Sequence, residues 1–136
     1  MENFLNCEMK SFDVLQYSPL ALAFVGDAVH SLFVRTTLVQ KKDIKVNDLQ
    51  KLTASVVKAI SQSKILTAIM GDLTQDELSL VKRARNTKTN NIAKNATAKD
   101  YKLSTAFEAL IGYLYLSGQI ERMNHFLEIS YKEILC

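Results

Sequence analysis

At 136 residues the chain suits one domain and is long enough to bury a core of its own. It is 48% hydrophobic with one Pro and four Gly, which favours helices and disfavours a turn-rich β fold. The net charge of +3 is too mild to name a partner, and Cys7 and Cys136, at opposite ends, make neither a CxxC pair nor a disulfide framework.

Met1-Glu2-Asn3 is not the basic start of a signal peptide, and no apolar core follows it. With the cysteine usage, this points to a reducing cytoplasm. Residues 1–17 read as a short lead-in, with Phe4, Leu5, Phe12, Val14 and Leu15 packing as one or two helical turns. Ser18 and Pro19 then open a helix over 19–39. A Ser at the N-cap accepts from a free N–H, and Pro at the first helical position lacks an N–H that would have had no partner. This helix is apolar on nearly every side but carries Asp27, His30 and Arg35. A mid-membrane Asp or Arg costs about 2.5–3.5 kcal/mol, so the segment reads as a buried helix of a soluble protein with no membrane partner.

The polar run 40–45 ends that helix. Asn47 or Asp48 opens the next, with Leu49, Leu52, Val56 and Ile60 at helical spacing, and a further stretch, about 61–70, stops at Gly71. Thr74-Gln75-Asp76-Glu77 is a capping box opening a helix over about 75–86. Residues 86–102, rich in Asn, Thr and Lys, read as a long exposed loop. Ser104 or Thr105 opens a helix closed by Gly118, and a last helix covers about 119–135. The expected fold is all-α, one domain over 1–136 with six or seven helices.

Two carboxylates stand out. Asp27 follows Gly26 within the apolar helix, where an ionised group is costly unless a metal, a base or an arginine meets it. Glu108 has the same setting in Ala106-Phe107-Glu108-Ala109-Leu110-Ile111. In a small helical domain two such helices are expected to be neighbours and their acids to converge. Two carboxylates and water suit Mg²⁺, which lowers the pKa of a bound water and polarises a phosphoryl oxygen. The competing readings are structural: Glu108, three residues after Thr105, also fits a capping box, and Asp27 also suits a partner such as Arg35. His30, one turn from Asp27, is either an ordinary polar position or a neighbour of the site. There is no nucleophile elbow, Gly-rich phosphate loop or zinc spacing.

Over 82–102 seven basic residues stand against one acid, Asp100, so the rest of the chain is net acidic. Lys82, Arg83, Arg85, Asn86, Lys88 and Lys94 are the candidate nucleic-acid contacts, because basic and amide side chains suit phosphate backbones. The segment has one aromatic residue, Tyr101, so backbone contact is favoured over base stacking. A solvated loop without a partner is the competing reading. An acid pair able to hold a metal beside a polyanion-binding segment describes a metal nuclease.

Leu22-Ala23-Phe24-Val25-Gly26-Asp27-Ala28-Val29 resembles the signature helix of the ribonuclease III family, and Thr105-Ala106-Phe107-Glu108-Ala109-Leu110-Ile111-Gly112 resembles its second acidic motif. The resemblance covers about 15–135. With one domain and no double-stranded-RNA-binding domain after it, the chain is similar to the family's compact bacterial branch. The resemblance implies an all-helical endonuclease domain that forms a homodimer and cuts double-stranded RNA with Mg²⁺. For the compact branch it implies trimming of the ends of the large-subunit ribosomal RNA precursor. Products with 5′-phosphate and 3′-hydroxyl ends are expected, and a ribosomal protein is a candidate helper. Asp27 and Glu108 match the acidic pair, as catalytic residues and metal ligands. Ala23 and Thr105 stand where the family normally has further acids, so fewer carboxylates and more waters are expected around the metal. A duplex has near-two-fold symmetry, which a two-fold dimer matches. The expected seam is the 19–39 helix, with Phe24 or Phe33 as anchor. The rivals are a non-catalytic dimeric RNA-binding module, a helical nucleotide pyrophosphohydrolase and a protein–protein adaptor.

Overall fold

The computed structural model describes residues 4–41, 44–87 and 97–135, which contain seven α-helices and no strand. Helix α1 is a single turn, Ser11–Val14, and α2 runs Pro19–Gln40. The Ser18 hydroxyl accepts from Ala21 N at 3.1 Å, with Pro19 at the first helical position. Helix α3, Val46–Val57, begins slightly before the expected Asn47 or Asp48 and has no side-chain cap. Helix α4, Ala59–Ile69, passes into a 3-10 turn, Met70–Asp72. Gly71 lies inside that turn and does not end a helix in the left-handed conformation, which among the described glycines only Gly118 adopts (φ 70°). Helix α5, Gln75–Arg85, starts with the expected capping box.

Helix α6, Ala98–Leu116, departs from expectation. It begins six residues or more before Ser104 or Thr105, so 98–102 are helical and not loop. The Thr97 hydroxyl accepts from Asp100 N at 3.0 Å, a cap hidden in a uniformly polar run. Ser104 and Thr105 are buried inside the helix, and the Thr105 hydroxyl donates to the Tyr101 carbonyl. Neither is an N-cap, and the capping-box reading of Glu108 fails with them. Gly118 closes the helix, and α7 runs Ile120–Leu135.

Helix α6 is the centre of the fold, packed against α2, α4, α5 and α7. Every residue over 104–114 is buried except Glu108. Phe107, Leu110, Ile111 and Leu114 are fully enclosed, each contributing about 1.5–3 kcal/mol through burial. The α2–α6 crossing depends on two glycines. A Cβ on Gly26 would overlap the Glu108 carbonyl, and a Cβ on Gly112 would overlap the Leu22 carbonyl. Backbone therefore meets backbone, which only glycine permits. A second cluster of Val34, Leu38, Val56 and Tyr131 ties the far end of α2 to α3 and α7. By length and composition alone α2 is able to cross a membrane. Here its apolar excess divides between the α6 interface and an outer set of exposed residues, Leu20, Phe24, Leu32 and Val39.

Candidate active site

The glycine crossing decides where the acids lie. Gly26 precedes Asp27 and faces the carbonyl of Glu108 itself, so the two carboxyl groups come within hydrogen-bonding reach of each other. Asp27 is exposed and Glu108 is half-buried, so the pair opens to solvent. The apolar sequence around Asp27 suggests a buried charge, but the structure puts this carboxylate at the rim of the packing. Arg35 does not meet it: two turns further on, its Nε donates to the Ser31 hydroxyl at 3.1 Å.

Burial pushes the Glu108 carboxyl up to about 8, the hydrogen bond and the charge of Asp27 push the same way, and a hydrogen bond from Gln62 opposes them. Two carboxylates this close resist joint ionisation unless positive charge is supplied. Among the described residues no cluster of three or more His, Cys, Asp or Glu side chains is placed to hold a metal. Two hard oxygen donors with open space beside them fit a small divalent cation that keeps most of its waters.

Behind the pair lies a buried polar chain. Gln62 Nε2 donates to His30 Nδ1 at 3.0 Å, His30 Nε2 donates to the Ser130 hydroxyl at 2.6 Å, and the Ser104 hydroxyl donates to Gln62 Oε1. These contacts assign His30 the neutral tautomer protonated at Nε2. The ring lies edge-on to Phe107, centroids 5.2 Å apart. Burial lowers the His30 pKa to about 4, with the Asp27 charge acting the other way. His30 is thus a buried polar residue with both ring nitrogens satisfied, and not a ligand. It lies in the wall behind the acids.

The basic candidates divide. Lys82 is exposed at the end of α5. Arg83 donates from Nη2 to the carbonyls of Leu15 (2.9 Å) and Tyr17 (3.4 Å), fastening the lead-in to α5. Arg85 and Asn86 line an open groove of about 380 Å³ with Lys99, Lys102 and Leu103. Lys88 and Lys94 lie outside the described residues. Lys99 and Lys102 belong to the seven basic residues of the segment but are not among the contacts named from the sequence. Their three-residue spacing has meaning only once 98–102 is known to be helical.

An all-helical domain crossed at glycine, with an acid pair at the crossing, defines a class: the metal-dependent endonuclease domain of ribonuclease III type. Residues 20–119 match the family model described as Ribonuclease III domain. The chain is 44% identical over 127 residues to a Mini-ribonuclease 3 of Clostridium tetani, covering 93% of this chain and 84% of that one. It is 46% identical over 121 residues to a Mini-ribonuclease 3 of Thermoanaerobacter sp., covering 89% and 85%. A crystal structure of a Fusobacterium nucleatum protein superposes with a TM-score of 0.82 at 35% identity, covering 93% of this chain and all of that one. The chain belongs to the ribonuclease III family, in its Mini-ribonuclease 3 branch. It is a metal-dependent endoribonuclease that acts on double-stranded RNA.

Proposed function

We propose that this enzyme uses Mg²⁺ held by Asp27 and Glu108 to hydrolyse double-stranded RNA, maturing the ends of the large-subunit ribosomal RNA precursor in the cytoplasm. The observation that carries the reading is the convergence of these two carboxylates at a solvent-open helix crossing. A divalent cation there supplies charge for the phosphate oxygens and a water of lowered pKa. Asp27 and Glu108 would hold that cation beside the scissile phosphate, and hydrolysis there is expected to leave a 5′-phosphate and a 3′-hydroxyl. Lys82, Arg85 and Asn86, with Lys99 and Lys102 across the groove, hold phosphates of the shallow RNA minor groove, where recognition is by shape and 2′-hydroxyls. Lys88 and Lys94 extend the same basic segment, and Arg83 steadies it from the lead-in side. A ribosomal protein bound to the precursor is a candidate helper that presents the duplex.

The enzyme acts as a homodimer, one site for each strand. Phe24 is 82% exposed, and Met9, Tyr17, Ala21, Leu22, Phe24, Val25 and Leu116 line an apolar hollow of about 380 Å³. A Phe24 entering the partner's hollow would cover both. Of the two expected anchors, Phe33 packs instead against both core clusters and is not free for this role.

The test is digestion of a duplex RNA with and without Mg²⁺, with single-stranded RNA and duplex DNA as controls. Mg²⁺-dependent cutting of the duplex RNA alone is expected. Duplex RNA that is bound but uncut at every Mg²⁺ concentration would leave the non-catalytic binding module as the correct reading.

A further inference from the structure

Gln62 is a whole amide sealed into the core, 1% exposed, between α2, α4 and α6. Burying an amide is costly unless its donors and acceptor are met, and an apolar side chain of similar size would avoid that cost. Its oxygen takes the Ser104 hydroxyl and one of its N–H groups meets His30 Nδ1. The Ser130 hydroxyl anchors the other ring nitrogen, so the imidazole cannot turn away. These contacts fix the plane of the amide and leave one N–H to be placed.

That N–H has a target. Ser104 and Glu108 are four residues apart on α6, and Asp27 and His30 are three apart on α2, so each partner of Gln62 lies one turn from one of the acids. The remaining N–H lies on the side of the amide toward Glu108 and favours the ionised form of that carboxyl. Reversing the amide would turn its oxygen on that carboxyl, acceptor against acceptor once Glu108 is ionised. The network permits one orientation and presents a donor to Glu108.

We propose that Gln62, locked by Ser104 and by the His30–Ser130 pair, is the positioning residue that fixes the Glu108 carboxylate in the orientation that receives the divalent cation. The inference rests on the reading of Asp27 and Glu108 as the metal ligands. Partners of metal ligands typically contribute 10–100-fold to affinity or activity.

The experiment measures Mn²⁺ binding, as a paramagnetic stand-in for Mg²⁺, by electron paramagnetic resonance on the full chain without RNA. The proteins compared are the wild type and the Gln62→Met, Ser104→Ala and Asp27→Asn variants. Gln62→Met keeps the volume and removes every hydrogen bond. It is expected to weaken Mn²⁺ binding about tenfold and to lower kcat on duplex RNA with KM unchanged. Ser104→Ala suits a helix interior and frees one end of the amide, so it is expected to give a smaller loss in the same direction. A merely structural Gln62 would lower the melting temperature and leave Mn²⁺ affinity alone. Wild-type Mn²⁺ affinity in Gln62→Met, or in Ser104→Ala should the first not fold, overturns the proposal. If Asp27→Asn abolishes Mn²⁺ binding in that case, the positioning role alone has failed. If Asp27→Asn also binds Mn²⁺ like the wild type, the acid pair is not the cation site and both readings fall.

Discussion

Glu77 and Glu108 are both drawn into the packing around α6, and burial pushes both carboxyls toward the protonated form. Their partners differ. Glu77 receives the Arg122 guanidinium on both oxygens, at 3.0 and 2.8 Å, and the Thr74 backbone N–H at 2.9 Å. These donors overcome the burial and hold its carboxyl below the usual range. Glu108 has Asp27 as its neighbour and is pushed up to about 8. The fold neutralises the first acid internally. It leaves the second in need of a cation from outside, which is the electrostatic mark of a working site.

The sharpest way to break this contrast is to remove the charges one at a time. Asp27→Asn or Glu108→Gln is expected to lower kcat/KM on duplex RNA by at least about a hundredfold while leaving RNA binding in place. Gel-shift and cleavage assays on the same preparations check this. Equal cleavage by wild type and variants would remove the acid pair from the mechanism.

The second test acts on the crossing that joins the acids. Gly26→Ala sets a methyl group into the Glu108 carbonyl, which neither helix can relieve by turning a side chain. The helices must separate, at a cost of about 3 kcal/mol or more, read by urea denaturation. The site should be lost with the packing.

Glu77→Ala probes the other half of the comparison. It leaves Arg122 without its carboxylate and opens the cap at Thr74. The guanidinium keeps the Asp72 carbonyl and about a third of its exposure, so the loss stays below that of a fully buried pair, about 2 kcal/mol. Cleavage per folded molecule should not change. A loss of turnover without a loss of stability would show that Glu77 is wrongly assigned to the scaffold.

The acids were legible from sequence because each is a lone carboxylate in an apolar run, a pattern that packing alone does not explain. The helix around Asp27 was legible to within a residue because Ser18 and Pro19 mark its start. The reason the acids meet was not. Gly26 and Gly112 appear in the sequence as motif letters, and nothing local says that each faces a carbonyl of the other helix. Gln62 was invisible for a similar cause. Ser61-Gln62-Ser63 looks like solvated surface, yet all three are buried, and Gln62 and Ser63 meet His30 of α2 and Ser104 and Asp100 of α6, all remote in the chain. Glu77 was read only as a cap, since the capping box is local and Arg122 lies 45 residues away.

The smallest effect separates the wall of the site from the acids themselves. His30 is fully buried and its pKa is lowered from 6.5 to about 4, chiefly by loss of solvent. The unfolded chain therefore takes up this proton at a higher pH than the fold does. The stability tied to a neutral His30 is complete above about pH 6.5 and declines as pH falls toward 4, by about 2 kcal/mol at pH 5. Glu108 acts in the opposite sense in the metal-free protein: its raised pKa adds stability as pH falls below 8, and would mask the histidine. Glu77 loses its contribution only below the unfolded carboxyl range, outside the window. The measurement is therefore made in a Glu108→Gln background, as melting temperatures between pH 7 and pH 5 with and without His30→Gln. The protein with His30 should lose stability over that interval and the double variant should stay nearly flat. Equal slopes would mean that the ring accepts a proton inside the fold, where Nδ1 already receives the Gln62 N–H. The network behind the acids would then be wrongly drawn.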